Sequence, residues 1–193
     1  MQLASLLGFV ALARAVARDA CTPTTPEPTT PAQTTPAPVS ICQTLVDGKK
    51  IYLAQMVGST KNYLGYCVGC KLDAYSYKLP ARVNKWWHPI TISTIPGGSL
   101  GLQMDTGRFY SRCENCGNAA NQVVQRYTKW QASVSTHWTC EDVSETHIRL
   151  KDFKGEYMTR REYFRPLDGH IVYSSSLNAT DDGQLWTVDL TAP

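Results

Sequence analysis

The sequence predicts an all-β domain built from three copies of a unit about 48 residues long, on three observations. Apolar residues alternate with others at Ile51/Leu53, Leu100/Leu102, Ile148/Leu150 and Val188/Leu190, the period of two that turns one strand face to a core. No helix-length amphipathic run interrupts them. Two aromatic landmarks then recur: Tyr63, Phe109 and Tyr157 at intervals of 46 and 48 residues, and Trp87, Trp138 and Trp186 at 51 and 48. A unit of this length with several short strands suits a propeller blade or a trefoil unit. Three blades are too few to close a propeller, for which about four is the minimum. Three such units complete a β-trefoil, so the expected fold is a disulfide-stabilised β-trefoil of pseudo-repeats 48–97, 98–145 and 146–193.

The elements follow in chain order. Leu3 to Ala13 form a short apolar run ahead of Ala13-Arg14-Ala15 and Ala15-Val16-Ala17, which predicts a cleaved signal peptide over residues 1–17. Residues 18–40 form a linker, because Thr22 to Pro38 hold seven Thr and six Pro with Glu27 the only charge. Such a stretch has little to bury, and its prolines keep it extended with Thr hydroxyls open to O-glycosylation. The folded domain is then 41–193. Each copy opens on a strand (Lys50–Leu53, Ser99–Leu102, His147–Leu150) and turns at Gly58-Ser59-Thr60, Asp105-Thr106-Gly107 or Lys154-Gly155. An aromatic strand follows, and each copy closes on a tryptophan strand whose Trp87, Trp138 or Trp186 is assigned to the core, as are Tyr63, Phe109 and Tyr157.

Composition excludes several functions. Of 193 residues, 42% are hydrophobic and 18% charged, and Lys+Arg 19 against Asp+Glu 16 leaves a net charge of +3 that is not gathered in one block. That balance argues against nucleic acid as a partner. Beyond the N-terminus no stretch is apolar over the roughly 18 residues a membrane helix needs, so no membrane span is expected in the mature chain.

The pattern Gly107-Arg108-Phe109-Tyr110-Ser111-Arg112, repeated as Gly155-Glu156-Tyr157-Met158-Thr159-Arg160, resembles the strand-turn-strand signature of fascin-like β-trefoil domains. The likeness covers nearly all of 48–191 as a threefold pattern. The first copy, Asn62-Tyr63-Leu64-Gly65-Tyr66, departs from it by lacking both the Gly and the Arg. Fascin-like members bundle actin inside cells, a role at odds with a secretory signal, so the resemblance implies a fold and not that activity. The chain also resembles ricin-type trefoil lectins, whose units carry Gln-x-Trp. Gln184-Leu185-Trp186 matches, whereas Lys85-Trp86-Trp87 and Thr136-His137-Trp138 lack the Gln.

Seven cysteines in a secreted chain read as a disulfide framework. Cys67-x-x-Cys70 and Cys113-x-x-Cys116 stand at the same place in two copies, and 42 residues between the pairs is far from the roughly 15–20 of ribbon-type zinc sites. The reading pairs Cys67 with Cys70, Cys113 with Cys116, and Cys42 with Cys140, tying the first strand of the domain to the end of the second copy. Pairing across copies stays open, and Cys21 is left over. His88, His137, His147 and His170 share no ligating spacing, and no serine elbow, phosphate loop or dinucleotide fingerprint occurs, so neither metal, cofactor nor catalytic site is assigned. Asn178-Ala179-Thr180 is an N-glycosylation sequon.

Aromatics off the repeat pattern are the candidates for ligand contact. Trp86, Tyr75, Tyr77 and Trp130, with the amide of Asn84 beside Lys85, can stack on a sugar face and bond its hydroxyls. Trp86 and Trp87 are read as neighbours on one strand, pointing to opposite faces. The functional expectation is a secreted, non-catalytic module binding a glycan or cell-wall polysaccharide, extracellular or cell-wall associated. The alternatives are a trefoil protease inhibitor presenting Lys78-Leu79-Pro80-Ala81-Arg82 or Arg160 to Arg165 to a protein target, and a structural secreted effector without a small ligand.

Overall fold

The alternation at Ile51/Leu53, Leu100/Leu102 and Ile148/Leu150 does place those side chains in one core, and the strands that carry them order the whole sheet. The computed structural model describes residues 39–66, 79–116, 120–161, 170–178 and 180–191. A one-turn helix α1 (Ile41–Thr44) precedes twelve strands: β1 (Lys50–Val57), β2 (Thr60–Tyr66), β3 (Leu79–Asn84), β4 (Ile90–Ile95), β5 (Ser99–Met104), β6 (Phe109–Cys113), β7 (Gln122–Tyr127), β8 (Thr139–Asp142), β9 (His147–Lys151), β10 (Tyr157–Arg161), β11 (His170–Ser175) and β12 (Trp186–Asp189). The expected signal 1–17, nearly all of the linker 18–40, Cys67, Cys70, Tyr75, Tyr77 and Lys78 lie outside the described residues.

Every described ladder is antiparallel. β1 pairs β4, β4 pairs β5, and β5 meets the start of β8 through the Leu100–Trp138 bridge. β8 then pairs β9, β9 pairs β12, and β12 returns to β1, which closes a ring. The hairpins β2/β3, β6/β7 and β10/β11 cover one end of that ring, and β3, β7 and β11 pair with one another there. A closed ring leaves its strands no free edge. Side chains from all six ring strands and from the hairpins fill a single cluster, with Trp138 and Trp186 fully buried at its centre. Their indole N–H groups are satisfied: Trp138 Nε1 donates to the Tyr110 carbonyl at 3.1 Å and Trp186 Nε1 to the Met158 carbonyl at 3.0 Å. Tyr63, Phe109 and Tyr157 are buried as expected.

The structure corrects the assignment of Trp87. Trp138 lies opposite Leu100 and Trp186 opposite Ile148, and the residue opposite the matching Ile51 is Ile90. Ile90, Trp138 and Trp186 are 48 residues apart, so Ile90 fills the interior place, three residues after the aromatic that signalled it. Trp87 is 46% exposed. It and Trp86 follow the end of β3 in an irregular connection and not a strand, so they do not alternate across a sheet. Leu190, expected to continue an inward alternation, lies beyond β12 and is exposed.

The Cys42–Cys140 and Cys113–Cys116 disulfides form as expected. Cys42, however, sits in α1 and not in a strand, so the bridge fastens this helix to β8. Ser40 caps α1 and bonds Asp142, which also accepts from the Cys42 N–H at 3.1 Å. Arg82, expected on an exposed inhibitory loop, lies within β3 at 7% exposure, where no protease cleft could reach it.

Candidate functional site

Three segments of different strands converge beside the exposed tryptophans. Gly65 and Tyr66 end β2, residues 85–89 connect β3 to β4, and residues 105–108 form the turn between β5 and β6. Gly107, at φ 74°, makes that turn, and its N–H donates to the Met104 carbonyl at 2.9 Å. The turn presents Asp105 to solvent with its side chain 39% exposed. His88 Nδ1 lies 3.2 Å from Asp105 Oδ2, and the Tyr66 and His88 rings pack at 4.5 Å. Burial raises the Tyr66 phenol above its ordinary value, helped by the nearby Asp105 carboxylate. Asp105 is thus paired with the His88 imidazole close to the Tyr66 phenol, and its side chain keeps acceptor capacity open to solvent.

The floor under this group is rigid. Tyr110 is fully buried, and its hydroxyl donates to the Gly65 carbonyl at 2.7 Å. Burial drives its phenol well above the ordinary value, the nearby Gln125 side chain acting in the opposite sense. Thr106 donates from its hydroxyl to Gln125 Oε1. Gly65 has a spatial reason to lack a side chain: a Cβ there would stand 2.7 Å from His88 Cδ2.

Trp86 is 66% exposed. Asn84 at the end of β3 accepts the Trp86 N–H on Oδ1 at 2.8 Å, an Asx turn that shapes the connection, and the Lys85 ammonium lies 5.2 Å from the Trp86 ring centre. Trp87 meets Tyr52 edge-on with ring centres 5.8 Å apart. The arrangement offers exposed aromatic surface next to a hydrogen-bond acceptor of fixed orientation. That combination suits a ligand with apolar C–H faces and several hydroxyls.

Of the residues singled out in the sequence, the structure brings Trp86 and Asn84 together. Trp130 starts a 3-10 turn between β7 and β8 and packs edge-on against His137 at 5.8 Å, and no described contact joins it to Trp86. Asn178 is exposed, and its Oδ1 accepts from the Thr180 N–H at 3.2 Å and hydroxyl at 2.9 Å. Sequence reasoning missed Tyr66, His88, Asp105 and Trp87 as site residues. The signal lay in the first copy's departure from the Gly-x-aromatic-x-Ser/Thr-Arg pattern, because Tyr66 stands where the other copies have Arg112 and Arg160.

Those arginines show what the position does. Each lies two residues after the residue whose carbonyl receives a buried indole N–H. Arg112 donates from Nη1 to Asp152 at 2.7 Å and approaches Glu156 at 2.6 Å, in the turn between β9 and β10. Arg160 donates to the Met56 carbonyl at the end of β1 and to Asp182, both at 3.2 Å. Tyr66 likewise reaches the turn that follows β5, but brings a phenol where the others bring a guanidinium.

No protein-family model and no curated protein sequence matches the chain. Solved structures do. A Culex quiquefasciatus salivary protein of the cysteine- and tryptophan-rich family aligns at TM-score 0.54 and 10% identity, over 76% of this chain and 96% of its own. The BEL β-trefoil aligns at 0.50 and 13%, over 75% and 94%. A lectin from Polyporus squamosus aligns at 0.50 and 12%, over 74% of this chain, which spans about half (49%) of the lectin's length. Likeness at such identities establishes the fold: the domain is an all-β, disulfide-bonded β-trefoil.

Proposed function

We propose that the chain is a secreted, non-catalytic β-trefoil binding module of three pseudo-repeats that holds a glycan at a cell wall or host surface. Trp86 and Trp87 supply the stacking surface, Asp105 accepts ligand hydroxyls, and Tyr66 and His88 fix the carboxylate. The observation that carries this reading is Trp86, 66% exposed in the connection that also positions His88 against Asp105. Large apolar side chains held open to water beside an oriented polar group mark a contact surface. The Polyporus squamosus lectin is described bound to the epitope Neu5Aca2-6Galb1-4GlcNAc, so a chain of this fold can carry a glycan site. The proposed signal 1–17 and Thr/Pro linker place the module outside the cell on an O-glycosylated stalk, and the exposed Asn178 is its proposed N-glycan site.

The test is a glycan array probed with the full oxidised chain and with Trp86→Ala. A defined glycan class should bind and be lost in the variant, with the melting temperature unchanged because Trp86 is mostly in water. A blank array from folded protein refutes the reading.

A further inference from the structure

We infer that the chain has one glycan site and not three, at the junction between the first and second copies, and that it takes uncharged, hydroxyl-rich ligands and discriminates against acidic ones. This rests on the glycan-binding reading above and adds valence and ligand charge to it.

Valence follows from what occupies the corresponding positions at the other junctions. On the register of the aromatic landmarks Asp105 corresponds to Ser59 and Phe153, neither of which carries a carboxylate. His88 corresponds to Thr136 and Gln184, both fully buried, and Trp86 to Val134 and Asp182. Tyr66 corresponds to Arg112 and Arg160. At both other junctions a guanidinium spans the seam and is consumed there, on Asp152 and Glu156 in one case and on Met56 and Asp182 in the other. Only between β2 and the β5–β6 turn, among the described residues, does the seam hold a solvent-facing carboxylate paired with an imidazole that packs on a phenol, beside an exposed tryptophan. A residue that locks two copies together is replaced there by one that leaves the acceptor available.

Ligand charge follows from the same exchange. Asp105 turns a carboxylate to solvent with His88 as the ion-pair partner shown, so a carboxylate or sulfate on the ligand would meet a like charge there. Hydroxyls, in contrast, donate to it directly. Lys85 is the cation of this connection, and its ammonium lies over the Trp86 ring.

The test is calorimetric titration of the full oxidised chain with matched neutral and acidic probes. These are N-acetyllactosamine against its sialylated form, and methyl-esterified against free oligogalacturonate, alongside neutral chito- and cello-oligosaccharides. A neutral probe should bind with a stoichiometry of one, its acidic counterpart at least tenfold more weakly. Asp105→Asn, at an exposed position, should fold normally and narrow that ratio, while Phe153→Ala and Trp130→Ala leave affinity unchanged. A stoichiometry near three, or an acidic probe bound as tightly as its neutral partner and lost in Trp86→Ala, overturns this inference and leaves glycan binding standing. Failure of every probe and of the whole array, from folded protein, overturns both.

Discussion

Replacing Arg112 by Met tests whether the pattern arginine is a seam between copies. Its side chain is 4% exposed and Asp152 is 0% exposed, with Arg112 Nη1 2.7 Å from Asp152 Oδ2. Met fills much of the aliphatic volume but withdraws the charge, leaving the Asp152 carboxylate buried with bonds to the Lys154 and Glu156 N–H groups alone. Removing one partner of a buried pair strands the other, which typically costs about 3–5 kcal/mol. For a domain of this size that is a fall of about 6–20 °C in Tm. Urea unfolding should show the loss as a lower midpoint with an unchanged slope, since the surface exposed on unfolding is the same. Adding Asp152→Asn to Arg112→Met removes the stranded charge while keeping an acceptor for the two N–H groups, and should recover at least half of the loss. A single-variant cost below about 1 kcal/mol, the range of an exposed pair, refutes the seam argument. So does a double variant no more stable than the single one.

Gly65→Ala forces a Cβ to within 2.7 Å of His88 Cδ2, so the imidazole must leave Asp105; affinity for a neutral glycan should fall at least tenfold while stability falls by about 1–3 kcal/mol, read by titration and thermal melting. Replacing Cys42 and Cys140 together by Ser opens a loop spanning 98 residues, and urea unfolding should report a loss of about 2–5 kcal/mol. Acid should weaken the fold through the β8 carboxylates. For Glu141, burial pushes the pKa up but is outweighed by bonds from Lys151 and Tyr157, and for Asp142 the Ser40 bond leads the lowering, so both lie below their ordinary values in the folded state. Groups lowered on folding contribute fully above the ordinary carboxylate range and lose that contribution as pH falls through the folded values. Stability should therefore drop below about pH 4, and less so in Glu141→Gln and Asp142→Asn.

The strands were legible because alternation has one cause, a face turned to a core, and Ile51, Leu53, Leu100, Leu102, Ile148 and Leu150 obey it without competing demands. The turn glycines and two disulfides were legible for the same local reason, a backbone or spacing requirement that leaves few residue choices. Trp87 misled because a large aromatic near the expected spacing looks like core, whereas the core position is defined by register, and Ile90 meets it three residues later. Part of the site was hidden because its chemistry is spread over Tyr66, His88 and Asp105, which share no sequence spacing. They meet only when β2, the β3–β4 connection and the β5–β6 turn are folded together. Trp86 could be singled out because it fell outside the repeat; Trp130 fell outside it too and packs against His137 away from the Trp86 group, so position off the repeat does not by itself place an aromatic beside the others.

Two departures fall in the first copy, and they act together. Ile90 takes the interior place that Trp138 and Trp186 hold elsewhere, so the indoles of Trp86 and Trp87 are not required for packing and stand in solvent. Tyr66 takes the place of Arg112 and Arg160, so the neighbouring turn keeps a carboxylate with capacity to spare. Either change alone would leave half a site: aromatics beside a neutralised acid, or an open acid with nothing to stack against. On the proposed three-copy reading, one seam can differ because the other two close with guanidinium bonds, Arg112 to Asp152 and Arg160 to the Met56 carbonyl. In the proposed function, the stability of those two seams is what frees the third to face a ligand.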